Sequence, residues 1–156
     1  MKLDVDQVIA LFKEHKPANL DEILDIGLSL HPIGSGVFRN TYQINKLPLI
    51  VKIPMSISWD ENVEHSLIEI AKINKIKKDK KYKLLRRYLP EVYYANKQGI
   101  ILMPKYRMLK YNEGRIVSDF IGNMLFDING DSGDMHSSNV ACNADGEYVI
   151  IDLGLI

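Results

Sequence analysis

Cysteine is almost absent from the chain. Of 156 residues only Cys142 is one, so no disulfide can close within the chain, and this usage fits a reducing compartment. An excess of charge is absent too. Twenty Lys and Arg stand against twenty Asp and Glu, so bulk electrostatics selects no partner. No apolar run approaches the roughly 20 residues that a membrane span needs. There is no internal repeat and no low-complexity linker. The opening "MKLDVDQVIALF" is acidic and amphipathic, the wrong pattern for a signal peptide. What is present, 46% hydrophobic and 26% charged residues, is a globular composition, sufficient for one core and too short for two ordinary domains. The expectation is a cytoplasmic protein that makes no contact with membrane.

The charges are unevenly spread. Residues 1–30 hold six acids against three lysines, whereas 72–87, "KINKIKKDKKYKLLRR", holds nine basic residues against Asp79 alone. Such a run is either a patch for nucleic acid or an acidic partner, or a solvated helix face and turn with Ile73, Ile76, Leu84 and Leu85 inward. Helical apolar spacing and few aromatics to stack on bases favour the solvated face, and nucleic acid is the disfavoured partner.

Asp4 or Asp6 is placed to cap a helix through about Lys16, ended by Pro17, and a short helix follows from Asn19 to Asp25. "LSLHPIGSGVFRNTYQINKLPLIVKIP" then alternates and predicts strands Leu28–Ile33, Val37–Ile44 and Leu49–Ile53, with turns at 34–36 and 45–47 and Pro54 as the stop. Trp59 to about Lys78 predicts a helix on the stripe Val63, Leu67, Ile70, Ile73. "EVYYANKQGIILMPKY" predicts two strands around Asn-Lys-Gln-Gly, ending at Pro104. A helix over Val117–Phe126 follows, then strands Val140–Cys142 and Tyr148–Ile151 around Asp145-Gly146, a strong hairpin signal.

Three groups carry chemistry. Gly34 and Gly36 flank Ser35 between two strands. Glycines there let the backbone approach a ligand and turn N–H groups toward anionic oxygens, or serve only an ordinary hairpin. Lys52 lies within a strand, which demands a partner or a cleft, unless the strand is an edge and the lysine snorkels. Glu69 sits one turn after His65 on the long helix, and a buried Lys52–Glu69 pair would hold an ammonium ready for phosphate. Asp134 and Asn139 lie on a loop. The Asp145-Gly146 hairpin folds Asp152 back toward Asn139, which makes either a hard-oxygen site suited to magnesium or only a polar turn and a solvent-facing strand end. Asp134, just upstream, is placed to accept a hydroxyl proton.

"GSGVF…Y", "IVK", Glu69 in a helix, "GDMHSSN" and "IIDLG" together resemble the protein-kinase-like superfamily, over roughly Leu28 to Gly154. The resemblance implies an α+β fold, an antiparallel N-lobe sheet with one long helix plus a minimal C-lobe. Its parts would be a helical extension over 1–26, the N-lobe over 27–103, and hinge and C-lobe over 104–156, all in one compact unit. It implies that Gly34, Ser35 and Gly36 cover the ATP phosphates and that Lys52 binds them while paired with Glu69. Asp134 would be the catalytic base, and Asn139 and Asp152 would hold magnesium. Met103 would be the gatekeeper, with the Pro104 carbonyl and the Tyr106 N–H offered to adenine.

The pattern also departs from protein kinases. Arg39 stands where a third loop glycine is usual, and no arginine precedes Asp134. "GDMHSSN" is more similar to the G-D-x-H-x-x-N loop of small-molecule and atypical kinases, in which His136 is within reach of a phosphate. Few residues follow "DLG", so the resemblance is to minimal kinases of bacterial or bacteriophage type. The function implied is ATP- and magnesium-dependent transfer of the γ-phosphate to a hydroxyl of a protein, itself included, or of a small molecule. The alternative is a catalytically silent module that binds nucleotide or a partner protein. A homo-oligomer is compatible with either.

Overall fold

The computed structural model describes residues 2–36 and 38–152. The fold is mixed α+β, with a five-stranded antiparallel sheet and several helices. It divides into two compact units, one of residues 1–67 and 91–105, the other of 68–90 and 106–156. Among the described residues no helix is long and apolar enough to cross a membrane.

The first unit begins with α1, Val5–His15, and α2, Leu20–Asp25. Asp4 caps α1 in a reciprocal box: its Oδ1 accepts from Gln7 N–H at 2.8 Å, and Gln7 Oε1 accepts from Asp4 N–H at 2.9 Å. Asn19 caps α2 by accepting from Glu22 N–H at 3.0 Å. Strands β1 (Leu30–Ser35), β2 (Arg39–Ile44), β3 (Leu49–Pro54), β4 (Tyr94–Ala95) and β5 (Ile101–Pro104) form the sheet in the order β1-β2-β3-β5-β4. Asn45 and Lys46 both adopt left-handed backbone (φ 49° and 57°), the pairing a tight two-residue turn needs, and Leu47 N–H closes it on Ile44 O at 2.8 Å.

Strand side chains alternate between faces. Leu49, Val51 and Ile53 of β3 join Val8, Phe12 and Ile23 of the two N-terminal helices in one core, with Phe12 edge-on to Tyr94 at 5.6 Å. These helices are therefore part of the first unit's core. β1 runs on through Ser35, with a bulge between Pro32 and Gly34, so two of the three residues predicted as turn are paired strand.

Helix α3, Trp59–Lys78, has the predicted ends but not the predicted face. Leu67 is exposed, Val63 and Ile70 are half-buried, and the buried line is Asn62, Ser66, Glu69, Ile73 and Ile76. Of the polar residues on that line Asn62 has bonds to make there, whereas the buried Ser66 hydroxyl has no hydrogen-bond partner among the described residues. The Asn62 amide donates to Met55 O at 3.0 Å and Ile57 O at 2.7 Å, satisfying carbonyls just beyond β3.

In the second unit a 3-10 segment, Lys80–Tyr88, follows α3. Ile73, Ile76 and Leu85 are buried as predicted, whereas Leu84 is 67% exposed. Next come β6 (Arg107–Met108), which was not foreseen, α4 (Tyr111–Asn129), a 3-10 turn (Ser137–Asn139), β7 (Val140–Cys142) and β8 (Tyr148–Ile150). The last three strands form a sheet in the order β6-β7-β8. α4 begins six residues before its predicted start.

Candidate functional site

The densest polar chemistry sits in the second unit, in the loop between α4 and β7. Helix α4 ends at Gly130, whose left-handed φ of 74° lets its N–H close on Phe126 O. Asp131 Oδ1 accepts from Gly133 N–H at 2.9 Å, and Gly133 turns with φ 63° directly before Asp134. The loop then packs on small residues of α4. A Cβ at Gly114 would stand 3.0 Å from Ser137 O, and one at Gly122 would stand 3.6 Å from Ser132 Cβ. Gly114, Ser118 and Gly122, one turn apart on the buried side of α4, thus set how closely the loop approaches.

Asn139 is buried, and its amide Nδ2 donates to the Asp134 backbone carbonyl at 2.6 Å. That bond fixes the amide so that Oδ1 is the end left to face a cation. The hairpin completes the cluster. Asn143 Oδ1 accepts from Asp145 and Glu147 N–H at 3.0 and 2.9 Å, and Gly146 takes φ 82°. Val140 is then opposite Ile150, and Ile151 N–H donates to Asn139 O at 2.8 Å. Asp152 is the next residue, so the structure brings Asp134, Asn139 and Asp152 to one end of one hairpin.

An amide oxygen and carboxylates are the hard donors magnesium takes, with phosphate and water completing its shell, so these residues fit that ion. Among the described residues no three His, Cys, Asp or Glu converge as a metal site. A cation here depends on the amide and few carboxylates. His136 bridges within the loop: Nδ1 is 2.7 Å from Ser138 Oγ, and Nε2 is 3.7 Å from Asp134 Oδ2.

Sequence reasoning missed Lys72, one turn after Glu69. Burial lowers its ammonium below the ordinary lysine range, the Asp152 carboxylate pulls it back up, and the Lys75 charge lowers it further. The only signal was its place in the basic run.

The other predicted residues divide between the units: Gly34, Ser35, Gly36, Lys52, Met103 and Pro104 in the first, Glu69 and Tyr106 in the second. β3 is the central strand, paired on both sides, so Lys52 is not a snorkelling edge lysine. It is buried on the face opposite Val51 and Ile53. Glu69 is buried as well. Met103 pairs with Ile50 and Pro104 with Leu49, and Lys105 N–H donates to Pro48 O at 3.0 Å.

The glycine turn differs from the expectation. Gly36 N–H donates to Arg39 O at 2.8 Å, so it closes the hairpin and does not point toward a ligand. Gly34 sits in the β1–β2 ladder opposite Thr41, and a Cβ there meets nothing within 4 Å. Of Ser35 only the backbone is described, and Val37 lies outside the described residues, as does the "LG" of "IIDLG". Phe38, next to this turn, stacks on His65 of α3 with centroids 3.8 Å apart.

Fold and site together define a mixed α+β protein with a carboxylate–amide cluster at the end of a β-hairpin. Comparison with models of known protein families and with curated proteins found no match to this chain.

Proposed function

We propose that this protein is a minimal kinase-like phosphotransferase, dependent on ATP and magnesium, which transfers the γ-phosphate to a hydroxyl of a protein, itself included, or of a small molecule. The observation that carries this reading is the closure of the loop by Asn139. Its side-chain amide takes the Asp134 carbonyl, and its backbone carbonyl takes the N–H of Ile151, the residue before Asp152. A polar turn without a function has no need of a buried asparagine that joins two carboxylate-bearing segments.

In this reading Asp134 takes the proton of the acceptor hydroxyl, and its exposed carboxylate is open to an incoming group. Asn139 and Asp152 hold magnesium, and Lys52 holds the α- and β-phosphates. Magnesium-bound ATP supplies the phosphoryl group and neutralises the charge that builds on it, so the chain contributes position and electrostatics.

One observation favours a second reading, a catalytically silent module that binds nucleotide or a partner protein. The Gly36 N–H is committed within its own hairpin, which removes one donor from the phosphate cradle. Incubation with magnesium and γ-labelled ATP separates the two. Label is expected on the parent chain or an added acceptor, with Asp134→Asn lowering its rate by about 100-fold or more and Asp152→Ala abolishing it. Nucleotide binding without any label would overturn the enzyme in favour of the silent module.

A further inference from the structure

The basic run also contributes to a cavity in the second unit, away from the loop just described. Its volume is about 270 Å³. α3 supplies Lys72, Lys75 and Ile76, the following 3-10 segment Lys81 and Tyr82, and α4 Leu125 and Asn129. Three lysines line it, and the Asp152 carboxylate acts on one of them, Lys72. Two of their ammonium groups approach one ring: Lys81 Nζ lies 4.9 Å and Lys75 Nζ 5.9 Å from the Tyr82 centroid. The Tyr82 hydroxyl donates to Asn129 Oδ1 at 2.9 Å, which fixes the amide and leaves its NH₂ as the donating end.

We propose that this cavity binds a small organic phosphate, its phosphate held by Lys75 and Lys81 and its apolar body against Ile76 and Leu125. Lysines at the end of a helix commonly offset its dipole, and that accounts for Lys75, Lys77 and Lys78 in the last turn of α3. It does not account for Lys81, which belongs to another element. Lys75 and Lys81 gather on one ring with no carboxylate among the described lining residues, and a bound anion relieves the repulsion between them. Polyanions such as nucleic acid need a long groove; a small cavity with an apolar wall selects a compact ligand instead.

Phenyl phosphate and inorganic phosphate, titrated into the full chain at constant ionic strength and followed by amide NMR, test the proposal. Phenyl phosphate is expected to shift the amides of Lys75, Lys81, Tyr82 and Asn129 and to bind about tenfold more tightly than inorganic phosphate, because the apolar wall takes the ring. Lys75→Glu with Lys81→Glu should weaken it by about tenfold or more, and the exposed pair Lys77→Glu with Lys83→Glu by no more than about twofold. Equal loss in both pairs, equal affinity for the two phosphates, or shifts confined to other residues would each overturn the site. It does not rest on the kinase reading. Lys52→Ala is expected to leave phenyl phosphate binding intact, and loss in that variant would place the anion elsewhere and refute the proposal.

Discussion

Tyr148 and Glu113 tie the closing hairpin to α4 through one hydrogen bond, in which the phenol donates to Glu113 Oε1 at 3.1 Å. That bond, then the Glu113 charge, raises the phenol above its ordinary pKa of 10.0, since ionising it would lose a donor and set two anions side by side. A raised folded value means that the contribution to stability is fully present below the unfolded pKa, and it fades as pH rises through the folded pKa. Glu113→Gln is therefore expected to bring Tyr148 back toward 10.0, read as the difference between parent and variant in an ultraviolet absorbance titration. The variant should also lose this group's share of any alkaline decline in stability. An unchanged tyrosine titration would mean that the bond does not persist in solution. At this scale the sequence was most readable where chemistry constrains a residue strongly. Lys52, a cation in an apolar strand, signals itself. Asn62 and Lys72 do not, because their roles come from carbonyls and charges that tertiary packing brings near.

Among the elements, those set by local signals were legible. The ends of α3, the capping aspartate of α1 and the Asp145-Gly146 hairpin all follow from periodicity and turn chemistry. The buried face of α3 and the start of α4 were not. In "YNEGRI" the glycine argues against helix, yet Gly114 is required because Ser137 O occupies the space a Cβ would need. The candidate loop was legible in its order of residues, but the small face of α4 that seats it was not. The β4–β5 turn shows how much such crowding costs. Gly99 has φ 80°, and a Cβ there would fall 2.9 Å from Pro54 Cγ and 3.0 Å from Ser66 Cβ, whereas Gly146, at φ 82°, has nothing within 4 Å. Gly146→Ala should cost only the backbone strain, about 1–2 kcal/mol. Gly99→Ala should cost a further ~1–3 kcal/mol for overpacking, read as the difference between their urea midpoints at equal slope. Equal costs would show that the β4–β5 turn yields freely.

For the whole molecule, the notable fact is that neither unit is a continuous piece of chain. The backbone crosses between them at 67/68, 90/91 and 105/106, and the first crossing falls inside α3. A helix whose hydrogen bonds run unbroken across the boundary cannot lose one half without fraying the other. The sheet has the same dependence, because β5, which pairs with the central β3, arrives only after the chain has passed through the second unit. The expectation is one unfolding transition for both units. Fluorescence of Trp59, the single tryptophan and part of the first unit, should follow the same curve as far-ultraviolet circular dichroism, to which α4 of the second unit contributes. Phe12 in the first unit and Ile121 in the second are fully buried. Phe12→Ala should cost about 3–5 kcal/mol and Ile121→Ala about 2–5 kcal/mol, each lowering Tm by roughly 6 °C or more. Both probes should move together in both variants. If Trp59 fluorescence shifts ahead of the helical signal in Phe12→Ala, while Ile121→Ala leaves it in place, the units unfold independently despite their shared helix.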